Sequence, residues 1–246
     1  MINLTQGQKM KKIKLITFDL DDTFWDINPV IISAERSTRE FLEGYIGKQE
    51  WGSMSDFLIF RKKLIETDSS FEWNIKGLRR AIYQKKILEA GYSQENSEEL
   101  VDKCYKFFLK KRHEVTFYKN VFEAIEELST SYSLGVLTNG NADINHFGIG
   151  KYFDFSISSY DVKSNKPEKD HFIAAKKKYN NLEYDEIIHI GDHPINDVKG
   201  ALDLGINAIW FNGLNKNWEE KDIKEPLQFN DWTKIIPAPK PKRLIP

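Results

Sequence analysis

The sequence predicts an α/β fold: a Rossmann-like, three-layer core on a parallel sheet, into which an all-helical cap domain is inserted. Two observations indicate this fold. Five short apolar runs alternate with amphipathic helical patterns, which is typical of parallel strands covered by helices on both faces. A long stretch between the first and second runs carries helical patterns only, and it is too long for an ordinary connection.

The predicted strands are short runs of mostly apolar residues, each bounded by loop residues. Side chains alternate between the two sides of a strand, so a strand that is apolar throughout is expected to be buried on both faces. The five runs are 13–18, 133–138, 153–158, 186–191 and 206–211.

Helical patterns precede and separate the last four of these strands. The segment after residue 120 places four apolar residues on one helical face: Val121, Ala124, Ile125 and Leu128. Pro167 is expected at the first position of the next helix, because proline lacks the N–H that such a position leaves unpaired. Gly205 is expected to end the helix after that one.

The stretch 28–115 is predicted to form a second, smaller domain of about four helices. Asn28 is the expected N-cap of its first helix, followed by Pro29, and Ser93 is the expected N-cap of its last helix. The core is then assigned to 1–27 and 116–246, with about the last ten residues flexible because they are rich in proline and lysine.

Composition argues against several classes of protein. The 246 residues carry 36 Lys and Arg against 37 Asp and Glu, a net charge of −1, which predicts no binding of nucleic acid or an anionic membrane. Cys104 has no second cysteine to pair with and is expected to pack as a small apolar residue. The apolar run behind the basic N-terminal residues is too short for a secretory signal, and no run approaches ~18 residues. We expect a cytoplasmic protein, monomeric or a weak homodimer.

Polar residues that carry chemistry follow the predicted strands, where ligands bind in open α/β sheets. Asp19 and Asp21 come after the first strand, and Asp192 comes after the fourth. Three converging carboxylates repel one another unless a cation is present, and Mg²⁺ prefers such oxygen ligands. The groups suited to a phosphoryl oxygen are the hydroxyl of Thr138, the turn at Asn139 and Gly140, and the charge of Lys166.

Four ordered motifs resemble those of the haloacid dehalogenase superfamily, in its phosphatase branch. They are "DLDDT", "LTNG", "NKP" and "GDHPIND", running from Asp19 to Asp197. The helical insertion after the first motif matches the cap of that family. An acidic loop after a strand can also simply cap a helix or lie in solvent. We expect Asp22 and Asp26 to be such helix-entry or loop residues.

The resemblance implies a role for each matching residue. Asp19 matches the nucleophile that becomes a phosphoaspartate, and Asp21 matches the general acid and base. Thr138 and Lys166 match the groups that hold and neutralise the phosphoryl group, with Asn139 beside them. These four side chains, Asp19, Asp21, Thr138 and Lys166, are therefore the predicted catalytic set.

The resemblance also implies a Mg²⁺ site. Its ligands match Asp192, the carboxylate of Asp19 and the backbone carbonyl of Asp21. Asp197 matches an acid behind the ligands that positions Lys166 or a metal-bound water. His193 departs from the commoner pattern, in which an acidic or small polar residue follows the glycine-aspartate pair, and it is expected to be a loop residue.

Several longer stretches resemble bacterial phosphatases that act on flavin mononucleotide and on 5-amino-6-(5-phospho-D-ribitylamino)uracil. The resemblance covers most of the core and, more faintly, the cap. It implies a small phosphorylated metabolite as substrate, with Asn141 as a wall of the site. Trp73 is the cap residue expected to face the substrate, because it stands at a helix start beside polar residues. A nucleoside 5′-monophosphate or a sugar phosphate is the alternative substrate. A phosphomutase, a haloacid dehalogenase and a non-catalytic binding module remain alternative functions.

Overall fold

The computed structural model describes residues 13–235, and the side chain of Met54 is not described. The expected flexible end of the chain lies outside these residues. A six-stranded parallel sheet forms the centre of the molecule, with strand order β3-β2-β1-β4-β5-β6. The strands are β1 (Leu15–Phe18), β2 (Ser133–Thr138), β3 (Phe155–Ser158), β4 (Ile187–Gly191), β5 (Asn207–Phe211) and β6 (Leu227–Phe229).

All five predicted strands are confirmed, with ends that differ by at most two residues. The edge strand β6 was not predicted, because it has three residues and two of them are exposed. Residues adjacent along a strand belong to different apolar clusters: Leu15 packs in one and Ile16 in the other. Both faces of the sheet are therefore covered, as the continuous apolar runs predicted.

The helices of the core follow the sequence pattern with one exception. Helix α5 (Val121–Ser129) buries the four predicted apolar residues. Helix α6 (Ser159–Val162) is a single turn. Helix α7 (Asp170–Lys176) begins later than expected, so the prediction for Pro167 was wrong. Pro167 lies inside a turn that the N–H of Glu168 closes on the carbonyl of Asn165, at 2.9 Å.

The segment after β4 forms a π-helical turn at Pro194–Lys199, followed by the short helix α8 (Gly200–Leu202). Gly205 ends this segment with a φ of 77°, which confirms the predicted stop.

Four helices occupy the stretch between β1 and α5, here called the helical segment (27–112). They are α1 (Ile27–Ile46), α2 (Met54–Thr67), α3 (Ile75–Glu89) and α4 (Gln94–Arg112). Ser93 caps α4 as predicted. The expected cap at Asn28 was wrong: Asp26 is the N-cap of α1, because its carboxylate accepts a hydrogen bond from the N–H of Asn28 at 3.0 Å. Cys104 is buried in the apolar core of this segment, as expected.

Helix α2 packs differently from its neighbours. None of its described side chains is buried, and Leu58 and Ile59 are exposed. A cavity of about 670 Å³ lies among α1, α2 and α3. Among the described residues, no helix is long and apolar enough to span a membrane.

Candidate active site

The carboxyl ends of three neighbouring strands bring the predicted residues together. Asp19 follows β1, Thr138 ends β2 and Asp192 follows β4. The parallel register pairs Phe18 with Val136 and with Ile190, so the residues that follow emerge at one edge of the sheet. The N–H of Asp19 donates to the carbonyl of Ile190 at 2.9 Å, which continues the pairing to the edge.

Lys166 lies at the centre of this edge and is almost fully buried. Its ammonium donates three hydrogen bonds: to Oδ1 of Asp19 at 2.7 Å, to Oδ1 of Asp197 at 2.6 Å and to the carbonyl of Leu137 at 2.6 Å. An ammonium has three donors, so all of them are used and the side chain has one position. Lys166 therefore holds the carboxylate of Asp19 in place.

The ion pairs around Lys166 shift the pKa values of their members. Burial would lower the pKa of Lys166, but the carboxylates of Asp19 and Asp197 raise it above the ordinary value. Burial would raise the pKa of Asp197, but Lys166 and His189 hold it well below the usual range. For Asp19, burial and the charges of Asp197 and Asp192 outweigh Lys166, so its pKa is raised. Asp197 and Lys166 are thus an ion pair, with Asp19 in an environment short of positive charge.

The residues present fit a divalent cation. Ligand atoms of Asp19, Asp192 and Asp197 all lie within 4.8 Å of one another. Burial and the charges of Asp197 and Asp22 raise the pKa of Asp192 to about 7. One lysine faces these three acids, and an oxygen donor set of this kind suits a hard cation such as Mg²⁺.

Asp197 has little capacity left for a metal. Its Oδ1 contacts Lys166 and Nε2 of His189, at 2.6 and 3.1 Å, and its Oδ2 accepts from the N–H of His193 at 3.0 Å. Asp19 and Asp192 are the carboxylates of this cluster that remain suited to ligation. This arrangement agrees with the role expected for Asp197, which is to position its neighbours.

The carboxylate of Asp21 is not part of the acidic cluster. Both of its oxygens accept from Nη2 of Arg112, at 2.6 and 2.8 Å, and Oδ1 also accepts from Nε1 of Trp25 at 2.9 Å. The sequence predicted three converging carboxylates, Asp19, Asp21 and Asp192; the structure instead places Asp197 in the third position. The expected ligation through the backbone carbonyl of Asp21 stays a prediction.

The turn after β2 positions the predicted phosphate-binding groups. Oγ1 of Thr138 accepts from the N–H of Gly140 at 2.9 Å, which leaves its hydroxyl hydrogen free to donate. The side chain of Asn139 is engaged elsewhere: it accepts from the N–H of Lys166 at 2.8 Å and donates to the carbonyl of Lys166 at 3.0 Å. Asn139 therefore fixes the Lys166 loop, and its backbone N–H remains the predicted phosphate donor.

A cleft of about 330 Å³ adjoins this turn, between the helical segment and the core. Trp73 and Tyr105 line it from the helical side, and Asn141 and Tyr160 line it from the core side. The ring centroids of Trp73 and Tyr160 are 6.2 Å apart. Trp73 and Asn141 thus both line the cleft, which agrees with the expectation that they face a substrate.

Sequence reasoning missed three contributors to the site: Arg112, Trp25 and His189. Arg112 belongs to a basic run that is typical of a solvated helix face, and Trp25 and His189 stand among core residues. His193 accepts from the N–H groups of Ile195 and Asn196, at 3.1 and 3.2 Å, and so caps the helix that follows. That position agrees with the expected loop residue.

Fold and site together define a class of protein. It is a hydrolase with a parallel α/β fold, whose centre is a set of carboxylates and one lysine at the carboxyl ends of the strands. The chain belongs to the haloacid dehalogenase-like hydrolase family, whose model matches residues 16–211.

Individual relatives agree with this assignment. The chain is 30% identical over 215 residues to the 5-amino-6-(5-phospho-D-ribitylamino)uracil phosphatase YigB of Escherichia coli (strain K12), covering 85% of this chain and 90% of the relative. It is 28% identical over 211 residues to a glyceraldehyde 3-phosphate phosphatase of Pyrococcus abyssi (strain GE5 / Orsay), covering 81% of each. A crystal structure of 2-haloacid dehalogenase from Pseudomonas syringae pv. Tomato DC3000 superposes with a TM-score of 0.83 at 33% identity, covering 91% of this chain and 96% of the other.

Proposed function

We propose that this chain is a magnesium-dependent phosphatase that hydrolyses a small phosphorylated metabolite through a phosphoaspartate on Asp19. The observation that carries the proposal is the position of Asp19, held by Lys166 and placed within 4.8 Å of Asp192 and Asp197. Lys166 fixes the nucleophile, but the three carboxylates leave the site with excess negative charge. Attack on an anionic phosphate at such a site requires further positive charge.

In the first step, a carboxylate oxygen of Asp19 attacks phosphorus and the bond to the leaving-group oxygen breaks. Asp21 gives a proton to that oxygen, so the leaving group departs as an alcohol. The hydroxyl of Thr138 and the backbone N–H of Asn139 donate to the phosphoryl oxygens, and Lys166 offsets their charge. The product of this step is an acyl phosphate on Asp19.

In the second step, water replaces Asp19 on phosphorus. Asp21, ionised after the first step, takes a proton from that water, which attacks phosphorus as the bond to Asp19 breaks. Phosphate leaves, and Asp19 returns as a free carboxylate. Asp21 thereby recovers the proton that the next turnover needs.

Asp19 and Asp192 would hold Mg²⁺, with the backbone carbonyl of Asp21 as a further ligand. When bound, the cation neutralises charge on the phosphoryl group and on the two carboxylates. Asp197 keeps Lys166 charged and in place. The lysine therefore aligns the carboxylate of Asp19 whether or not the other acids are ionised.

We propose flavin mononucleotide or 5-amino-6-(5-phospho-D-ribitylamino)uracil as the substrate, with the helical segment acting as the cap. The relative YigB is named for the second compound. Both present a phosphate at the end of a ribityl chain, so phosphate at Asp19 leaves the ring within reach of the cleft. The aromatic side chains of Trp73 and Tyr160 contact each other at that cleft and together offer an aromatic surface against which a flat ring can pack.

A dehalogenase is the second candidate, favoured by the structure from Pseudomonas syringae. In that reaction the carboxylate attacks carbon and halide leaves, so no acid is needed to protonate a leaving oxygen. Asp19 would remain the nucleophile, but Asp21 and the other two acids of the cluster, Asp192 and Asp197, would then have no role in the chemistry. Their presence favours phosphoryl transfer.

The test is a phosphate-release screen over phosphorylated metabolites, run with Mg²⁺ and with a chelator, beside a halide-release assay on 2-haloacids. We expect phosphate release that requires Mg²⁺, with one of the two ribityl compounds giving the highest kcat/KM. Halide release that persists in chelator, without phosphate release, would replace the phosphatase by the dehalogenase. A nucleotide or sugar phosphate preferred by more than about tenfold, roughly 1.4 kcal/mol at the transition state, would retain the phosphatase and reject the substrate.

A further inference from the structure

Arg112 is the last residue of α4, and only about 1% of its side chain is exposed. A buried guanidinium is costly unless its donors are paired. Besides the two bonds from Nη2 to Asp21, its Nε donates to Oδ1 of Asn141 at 3.2 Å. Its guanidinium carbon lies 5.8 Å from the ring centroid of Trp25. One side chain therefore joins the end of the helical segment to the loops after β1 and β2.

The carboxylate of Asp21 is enclosed on three sides. Arg112 and Trp25 donate to it, and Gly140 lies against Oδ2, where a Cβ on residue 140 would come within 2.7 Å. Such a contact is too short for any residue other than glycine unless Asp21 moves. The arrangement thus fixes both the position and the orientation of the carboxylate.

We propose that Arg112 is a positioning residue that sets the Asp21 carboxylate for catalysis and couples it to the helical segment. The inference rests on the proposed function, in which Asp21 exchanges protons with the leaving group and with water. Proton transfer demands placement within hydrogen-bond reach, and a small displacement of the acid is costly to the rate. Nη2 of Arg112 reaches both oxygens of Asp21 while Nε is held by Asn141, so the plane of the guanidinium is fixed; a lysine ammonium has no second anchored donor.

The contacts with Asp21 and Asn141 do not use every donor of the Arg112 guanidinium. Nη1 of Arg112 is buried and has no hydrogen-bond partner among the described residues. In a purely structural ion pair, buried donors are nearly always satisfied. Among the described residues, the contacts with Asp21 and Asn141 are made by Nη2 and Nε, so Nη1 takes no part in holding the carboxylate.

The kinetic test is Arg112→Lys, which keeps the charge and removes the planar guanidinium. We expect kcat for an alkyl phosphate to fall by about 10²-fold, the lower end of what general acid–base catalysis contributes, with KM little changed. The release of nitrophenol from 4-nitrophenyl phosphate in the first turnover should fall far less than the release of alcohol from the alkyl phosphate, because nitrophenolate needs no proton to leave. The second step, in which Asp21 acts as base, is common to both substrates, so the comparison is made on the first turnover. Arg79→Lys is the matched control, since Arg79 pairs with Glu35 inside the helical segment. Equal losses for both substrates would overturn the proposal.

A double-mutant cycle separates positioning from stability. In an Asp21→Asn background, Arg112→Lys should lower kcat for the alkyl phosphate by less than about threefold, because the acid it positions is already lost. Multiplicative losses would show that Arg112 acts independently of Asp21, and the proposal would fail.

A third measurement needs no turnover. The indole N–H of Trp25 donates to the same carboxylate, so its NMR resonance reports where Asp21 lies. We expect this resonance, assigned with Trp25→Phe, to shift and exchange faster in Arg112→Lys and to stay unchanged in Arg79→Lys. An unchanged resonance in Arg112→Lys would overturn the proposal. If the wild type released no phosphate from any compound, the proposed function would fail while this measurement still decided the position of Asp21.

Discussion

The sheet edge and the helical segment differ in how firmly they are held. At the edge, Lys166 uses all three donors and Asn139 closes the loop that carries it. In the helical segment, α2 buries none of its described side chains and borders a cavity of about 670 Å³. Residues that perform chemistry need one position, whereas residues that enclose a substrate need room to adapt.

The two regions meet at specific residues. Ile75, at the start of α3, lines both the cavity in the helical segment and the cleft beside the sheet edge. Arg112 joins the same segment to Asp21. A change in how the helices pack is therefore expected to alter substrate choice through Ile75. The same change is expected to alter proton transfer through Arg112.

The largest effect is expected at the fixed region. Asp19→Asn should lower kcat by at least about 10⁴-fold, because an amide oxygen is a poor nucleophile toward phosphorus. Asp22→Asn is the matched control: Asp22 accepts from the N–H of Ile27 at 3.0 Å and has a φ of 60°, which asparagine also tolerates. We expect the control to retain activity within about tenfold. Turnover by folded Asp19→Asn close to that of the wild type would remove Asp19 from the mechanism.

Mg²⁺ should stabilise the sheet edge more at high pH than at low pH. The folded pKa of Asp192 is raised to about 7, above its ordinary value of 3.8, so the folded state holds more protons between these values. Stability without the cation should therefore fall as pH rises through this window, and the cation offsets that loss by binding the ionised form. The Tm increase on adding Mg²⁺ should be several degrees larger at pH 8 than at pH 5. Asp192→Asn should reduce the pH dependence, and the part that remains would come from Asp19, whose pKa is also raised. A Tm increase that is equal at both pH values in the wild type contradicts the site.

A smaller effect is expected in the cleft. Trp73→Ala should raise KM about tenfold for flavin mononucleotide, the worth of one aromatic contact, and leave KM for glycerol phosphate unchanged. Tyr45→Ala is the control, because Tyr45 is exposed near the far end of α1. Equal increases of KM for both compounds would mean that Trp73 maintains the fold of the cleft and does not contact the flavin ring.

The difference between the regions also explains what the sequence could predict. Asp19, Thr138 and Asp192 directly follow or end apolar strands, and the parallel register brings strand ends together, so local pattern was sufficient. Arg112 lies 91 residues from Asp21 and its partner depends on how α4 docks, which no local pattern contains. The loose packing of α2 was equally hidden, because its capping residue and apolar positions resemble those of a well-buried helix.

The smallest effect compares two helix caps within the helical segment. Ser53 caps α2 and Ser93 caps α4, each accepting from the N–H three residues on, at 3.2 and 3.3 Å. Serine-to-alanine substitution at such a position costs about 1 kcal/mol of helix stability. Helix α4 buries seven side chains, from Ser97 to Arg112, so Ser93→Ala should lower the free energy of global unfolding by that amount. Helix α2 buries none that is described, so Ser53→Ala should leave global unfolding nearly unchanged. Its cost should appear as about fivefold faster amide exchange within α2 alone. Matched losses of global stability in the two variants would show that α2 unfolds with the rest of the segment, and the contrast between a fixed edge and an adaptable cover would then not hold.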